Sequence, residues 1–256
     1  MESQAIAVRR PATAIRWPPY SYWGKARPRN ALQLQHHSLP LHSLDVAAVG
    51  YMYLEAHPKL LDYFARRLAV SSSNARDWIC FWLAVHDLGK FSLSFQNQRS
   101  DLLRQLQSRE SSRAYSVRHD SLGALVWQQR LLVDEDVLSL GARASTSLSR
   151  LQPWIFAVTS HHGQPPRLDG INVVGHFEAV DVAAAAAFTR EARSLLLPQD
   201  VLDAVLASGD RLKATGRHLS WWLAGVAVLA DWIGSNAVRR IGWTCSTGLK
   251  PACLNL

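Results

Sequence analysis

The run Trp78-Ile79-Cys80-Phe81-Trp82-Leu83-Ala84-Val85, followed at once by His86-Asp87-Leu88-Gly89-Lys90, constrains this chain more than any other stretch. Eight consecutive apolar residues leave no polar face, so the run reads as a buried helix. Taking an imidazole and a carboxylate out of water at the end of such a run is costly unless something pairs with them. A divalent cation would do so, because neutral imidazole and carboxylate are both good ligands. Helix capping also accounts for many His-Asp dipeptides, so the dipeptide alone does not decide. Gly89 lets the helix end or bend, and Lys90 places a cation one step beyond.

The rest of the chain is patterned for helices. Apolar positions predict helices over 41–57, 60–69 (closed by Ser71-Ser72-Ser73) and 77–87, and an amphipathic helix over 91–107. Residues 108–118 are polar and basic and read as a mobile loop. Asp120 or Ser121 is placed to cap a helix running to Leu132. A helix over 149–160 should stop at His161-His162-Gly163, with Pro165-Pro166 preventing continuation. Further helices are expected over 177–196, over 201–207 behind Pro198, and over 218–238. Strand signals are nearly lacking; residues 171–174 are the best candidate. With no internal repeat and no clear linker, the expectation is one all-α domain over 31–240. An irregular basic arm, 1–30, precedes it and a tail without helical period, 241–256, follows. Trp23-Gly24-Lys25 in the arm is not a phosphate-binding loop, since the earlier Gly is missing and Ala26 stands where Ser or Thr is needed.

Ten Trp and 48% hydrophobic residues are enough for a sizeable core, and most of the Trp are expected inside it. A net charge of +8 favours phosphate-bearing partners without establishing nucleic-acid binding. Cys80, Cys245 and Cys253 show no paired spacing, which speaks against a disulfide framework or zinc finger and for a reducing cytoplasm. The start of the chain lacks the apolar segment of a signal peptide, and the apolar run at 221–230 is about half a membrane span. The expectation is a soluble cytoplasmic protein.

Four more places offer ligands. His42 opens an apolar helix with Asp45 one turn on, which capping explains as well. His161-His162 can be held by the negative end of a helix dipole or can face a metal cleft. In His119-Asp120 the Asp has a capping role and the His has none. Asp231 interrupts the apolar run 223–233 with no basic residue within a turn, so it needs a partner from elsewhere.

A His, a His-Asp pair, a His, a His-His pair and an Asp, in that order, resemble the HD superfamily of metal-dependent phosphohydrolases. Within it the chain is similar to the HD nuclease domain of the CRISPR-associated type I helicase-nuclease, the effector recruited by the Cascade complex. The stretches that carry the likeness begin with Tyr22-Trp23-Gly24-Lys25, Leu41-His42-Ser43-Leu44-Asp45 and His86-Asp87-Leu88-Gly89-Lys90. They continue through Arg118-His119-Asp120-Ser121, Ser160-His161-His162-Gly163 and Ala230-Asp231-Trp232-Ile233-Gly234-Ser235.

The resemblance implies a single HD-type helical domain with a metal cleft between helices, and two metals about 3.5–4 Å apart. One metal would take His42, His86, Asp87 and Asp231; the other His119, His161 and His162, with Asp87 bridging. An imidazole-rich shell suits Mn, Fe, Co or Ni better than Mg. Lys90 would be catalytic, offsetting charge on the scissile phosphate, where the alternative is a solvated helix end. The implied activity is an endonuclease of antiviral defence that hydrolyses single-stranded DNA. Its partners would be a helicase, as a separate subunit or as missing chain, and a Cascade-type surveillance complex. The basic arm and residues 104–118 are candidates for tracking the DNA backbone, and Trp17 and Trp23 for stacking bases. The chain departs from the family in carrying Asp120 where Glu is common and in lacking a helicase phosphate-binding loop. A stand-alone subunit, an excised domain and a truncated product all remain open. So do a small-nucleotide phosphohydrolase and a non-catalytic adaptor.

Overall fold

Ser71 decides where the central helix begins. Its Oγ accepts the backbone N–H of Asn74 at 3.1 Å in the computed structural model, which describes residues 19–26 and 36–240. The serine run therefore opens α3 (Ser72–Ala84) rather than closing α2 (Pro58–Leu68). Ala69, left-handed at φ 57°, ends α2 instead. Helix α3 is the buried axis expected: Trp78, Ile79, Phe81, Trp82 and Leu83 are wholly shielded from solvent. Helix α1 (Leu39–Ala56) crosses it at Gly50, where a Cβ would stand 2.1 Å from Leu83 Cδ1. Around this pair lie α4 (Leu93–Gln96), α5 (Ser100–Gln107), α6 (His119–Val126), α7 (Ala144–Thr159), α8 (Ala179–Leu196), α9 (Gln199–Leu206) and α10 (Arg211–Arg240). The long α10 packs along α7 and α1. Trp78, Trp82, Trp127 and Trp154 interlock with centroids 5.2–5.5 Å apart, the tilted and edge-on geometry aromatic rings prefer. The fold is all-α apart from one small sheet among the described residues, and no helix there is long and apolar enough to cross a membrane.

Five expectations are corrected. The strand expected at 171–174 is not formed; Val173–Gly175 is a 3-10 turn whose Val174 N–H is capped by Asn172 Oδ1 at 3.0 Å. The strands are instead β1 (Trp23–Ala26) and β2 (His36–Ser38), antiparallel, with Trp23 opposite Ser38 and Ala26 opposite His36. Residues 19–26 of the expected irregular arm thus belong to the domain. The remainder of that arm with Trp17, and the tail 241–256 with Cys245 and Cys253, lie outside the described residues.

The helix expected over 91–107 is broken, because Ser92 caps a new turn and Gln96 is buried. The Gln96 side chain donates to the carbonyls of Trp23 and Lys90, and the chain folds round it. Helix α6 begins at His119, so neither Asp120 nor Ser121 caps it. Finally, Trp221, Trp222 and Trp232 on α10 are 87%, 53% and 66% exposed, against the expectation of a core role.

Candidate metal centre

The central helix ends at Ala84, two residues before His86, and His86 and Asp87 lie in the turn that follows. Residues Leu88–Phe91 then form a 3-10 turn, opened by the Lys90 N–H donating to Asp87 O at 2.9 Å. Gly89 is needed for contact rather than for an unusual φ. A Cβ on it would stand 1.8 Å from His119 O and 2.6 Å from Gly123 N, so α6 abuts this turn backbone to backbone. That contact sets His119 beside Asp87. Helix α1 supplies His42, the turn after α7 supplies His161 and His162, and α10 supplies Asp231.

The fully buried Asp87 carboxylate faces two ways. Its Oδ2 lies 3.2 Å from His86 Nε2 and 3.3 Å from His42 Nε2; its Oδ1 lies 3.4 Å from His119 Nε2 and 3.6 Å from His161 Nε2. Asp231 Oδ1 joins the first side, 3.2 Å from His42 Nε2 and 3.9 Å from His86 Nε2. His162 joins the second, its Nε2 2.9 Å from His119 Nε2. In each set, His42-His86-Asp87-Asp231 and His119-His161-His162, one ligand atom per residue lies within 4.8 Å of the others. All seven anticipated ligands are thus brought together.

The imidazoles are held from behind. His86 Nδ1 donates to Leu83 O at 2.7 Å and His161 Nδ1 to Val158 O at 2.8 Å, which turns each Nε2 lone pair into the cleft. Tyr115 OH meets His119 Nδ1 at 2.9 Å and accepts the His119 backbone N–H at 2.7 Å. Sequence reasoning passed over Tyr115; its one signal is its place four residues before a candidate ligand. Burial holds His42, His119, His161 and His162 below the ordinary imidazole range, His161 down to about 3, so they are neutral and ligand-competent near pH 7. Burial opposes ionisation of Asp87, but the Lys90 ammonium and the imidazoles of His86 and His42 outweigh it and hold the carboxyl well below its usual range. Burial likewise opposes the charge on Asp231, and His42, His86 and Lys25 overcome it.

These groups fit divalent cations. Both Asp87 oxygens, His42 Nε2, His86 Nε2 and His161 Nε2 are buried without a hydrogen-bond partner. Each such atom costs about 1–3 kcal/mol if left unsatisfied. The 2.9 Å between His119 Nε2 and His162 Nε2 is a separation that two imidazoles sharing one cation would have.

Two lysines enter the same cleft. Lys90, expected either at a catalytic phosphate or on a solvated helix end, is buried, which removes the second reading. Its Nζ stands 2.6 Å from Asp87 Oδ2 as an ion pair outside hydrogen-bonding alignment, and donates to Gly24 O at 3.4 Å. Lys25 Nζ lies 3.2 Å from Asp231 Oδ1, so the basic partner that no residue within a turn of Asp231 supplies arrives from β1. Gly24 is the close-approach residue of that strand: a Cβ would stand 2.9 Å from Leu39 Cα and 3.4 Å from His42 Cβ. Trp23 anchors the strand, its indole N–H donating to Gln96 O at 3.2 Å, and is therefore too buried to stack a base. The loop arginines expected to track DNA are largely spent on the protein. Arg104 pairs with Glu110, Arg109 with Asp181 and Glu178, and Arg113 donates to Val174 O.

A family model described as the HD domain of Cas3 matches residues 23–239. The CRISPR-associated endonuclease/helicase Cas3 of Escherichia coli (strain K12) is 28% identical over 228 residues. That alignment takes in 84% of this chain but 25% of the relative, so the chain spans about a quarter of that protein's length. Among solved structures, one described as a CRISPR-associated protein is similar at a TM-score of 0.57 and 20% identity, covering 92% of this chain and 28% of the other. The AMPPNP complex of T. fusca Cas3 is similar at 0.54 and 22%, covering 85% and 23%. A CRISPR RNA-guided surveillance complex in a pre-nicking state contains a chain similar at 0.51 and 21%, covering 85% and 24%. At these identities the structures establish a shared fold.

Proposed function

Because this chain belongs to the family of the Cas3 HD domain, we propose that it is a metal-dependent nuclease hydrolysing phosphodiester bonds of single-stranded DNA in type I CRISPR interference. It would act with a helicase, as another subunit or as further chain, and with a Cascade-type surveillance complex. The single observation that supports this most is Asp87, whose two oxygens face two separate ligand clusters. His42, His86, Asp87 and Asp231 would hold one cation, and His119, His161 and His162 with Asp87 the other. Imidazole-rich donors favour Mn, Fe, Co or Ni over Mg. Bound there, the cations supply Lewis acidity toward a phosphoryl oxygen and make water a nucleophile near neutral pH.

The protein's own groups do the rest. Asp87 fixes the spacing of the clusters, and the carbonyls of Leu83 and Val158 fix the orientation of His86 and His161. Lys90, a buried cation against Asp87, offsets negative charge that grows on the phosphate. Lys90→Ala should keep its metal and lose roughly 10²–10³-fold in single-turnover cleavage, the usual cost of one electrostatic stabiliser. Loss of metal in that variant would make Lys90 a structural residue.

A cleft walled by packed helices admits one flexible strand more readily than a B-form duplex. With Mn loaded anaerobically, a single-stranded oligonucleotide should be cut much faster than the same sequence as a blunt duplex. Equal rates would count against the substrate class. Hydrolysis of mononucleotides with no cleavage of DNA would move the activity to a small-nucleotide phosphohydrolase.

A further inference from the structure

Beside the His119 cluster, the start of α6 and the segment after α7 wall a second cleft of about 130 Å³, lined by Arg118, Asp120, Ser121, Gln164, Pro165 and Arg167. Two of its lining residues, Arg118 and Asp120, flank His119 in the chain, and Gln164 lies two residues beyond His162. The walls are tied together where the Arg167 backbone N–H donates to Ser121 Oγ at 2.9 Å. Asp120 is satisfied in place: Oδ2 accepts from Arg118 Nε at 2.9 Å and Oδ1 from the Ser121 backbone N–H at 2.6 Å. That arrangement occupies only one edge of Arg118. Among the described residues its Nη groups, and the whole guanidinium of Arg167, have no hydrogen-bond partner. They differ in this from Arg109 and Arg113, whose Nη groups are paired within the protein. Two guanidiniums and one carboxylate leave the cleft one positive charge, the complement of a single phosphodiester.

We propose that this cleft is a subsite for a backbone phosphate of the DNA strand next to the one being cut, with Arg118 and Arg167 as its ligands. A guanidinium offers paired N–H donors in a planar fork that matches two phosphate oxygens. Asp120 serves as a positioning residue that fixes Arg118 by its Nε, and the Ser121–Arg167 bond fixes the second wall. The subsite registers the strand against the ligand clusters without reading its sequence. It rests on the nuclease reading above and gives that reading a substrate contact outside the metal ligands.

The test separates the two. Binding of a fluorescein-labelled oligo-dT decamer to the intact protein is followed by anisotropy in EDTA, across a series of salt concentrations. Arg167→Ala should weaken binding on the order of threefold and flatten the plot of log K against log salt by about 0.7, the value for one phosphate contact on a single strand. Arg118→Ala should do the same, and Arg118→Lys should recover most of the salt slope but only part of the affinity. Metal content should be unchanged in all three. Wild-type affinity and slope in Arg167→Ala would overturn the subsite, as would loss of metal in Arg118→Ala, which would make Arg118 a support for His119. Salt-dependent binding altered as expected, in a wild-type protein that cuts no DNA when loaded with Mn, would sink the nuclease reading and leave the subsite standing.

Discussion

Asp87→Ala is expected to strip metal from both ligand clusters and to abolish cleavage, whereas Asp231→Ala should deplete chiefly one. The difference follows from position. Asp87 Oδ2 faces His42 and His86 while Oδ1 faces His119 and His161, so one truncation removes a donor from both sides. Asp231 approaches only His42 and His86. Asp87→Ala also leaves the Lys90 ammonium buried without its counter-charge, which threatens the fold as well as the site. Asp87→Asn keeps the shape and separates the two effects. Metal stoichiometry by elemental analysis, with a thermal melt of each variant, reads both quantities. Retention of two metals per chain in folded Asp87→Asn would end the bridging assignment.

Gly89→Ala should do nearly as much damage with a single methyl group. Its Cβ would lie 1.8 Å from the His119 carbonyl oxygen and 2.6 Å from Gly123 N, and these are backbone atoms that cannot swing aside. Either α6 backs away from the turn or the turn shifts toward α3. Overpacking of this kind costs about 1–3 kcal/mol, and more where backbone is met. Moving α6 carries His119 away from Asp87 while His42, His86 and Asp231, on other elements, stay in place. A lowered melting temperature together with preferential loss of one metal is therefore expected. Normal metal content and stability in Gly89→Ala would show that the turn yields without moving His119. Gly123 lies across the same contact, where a Cβ would stand 3.1 Å from Gly89 N, a milder conflict that predicts a smaller effect.

Local chemistry was enough to read the helical class and the buried run of α3, and to single out the candidate ligand residues. An apolar stretch long enough for a helix looks the same wherever it packs, and a carboxylate or imidazole set in one announces a missing partner. Asp231 did so plainly, since no basic residue lies within a turn of it. What the residues around it could not say is that the base is Lys25, some two hundred positions earlier, carried in on a strand too short to show alternation. The boundaries that failed share a cause. The helix expected over 91–107 breaks because buried Gln96 bonds to Trp23 and Lys90, contacts that exist only once β1 has docked. Asp120 was read as a cap from its type and place, but Arg118 and the Ser121 N–H claim its oxygens. Exposure of Trp221, Trp222 and Trp232 was equally hidden, because α10 is apolar on more than one side and only its packing on α7 and α1 selects the face that is covered. The seven candidate ligand residues and their order are thus a property of the sequence by itself. That Asp87 stands between two sets of them, and that Gly24 and Gly89 are bare so that β1 and α6 can close on it, was decided by tertiary contacts between elements far apart in the chain.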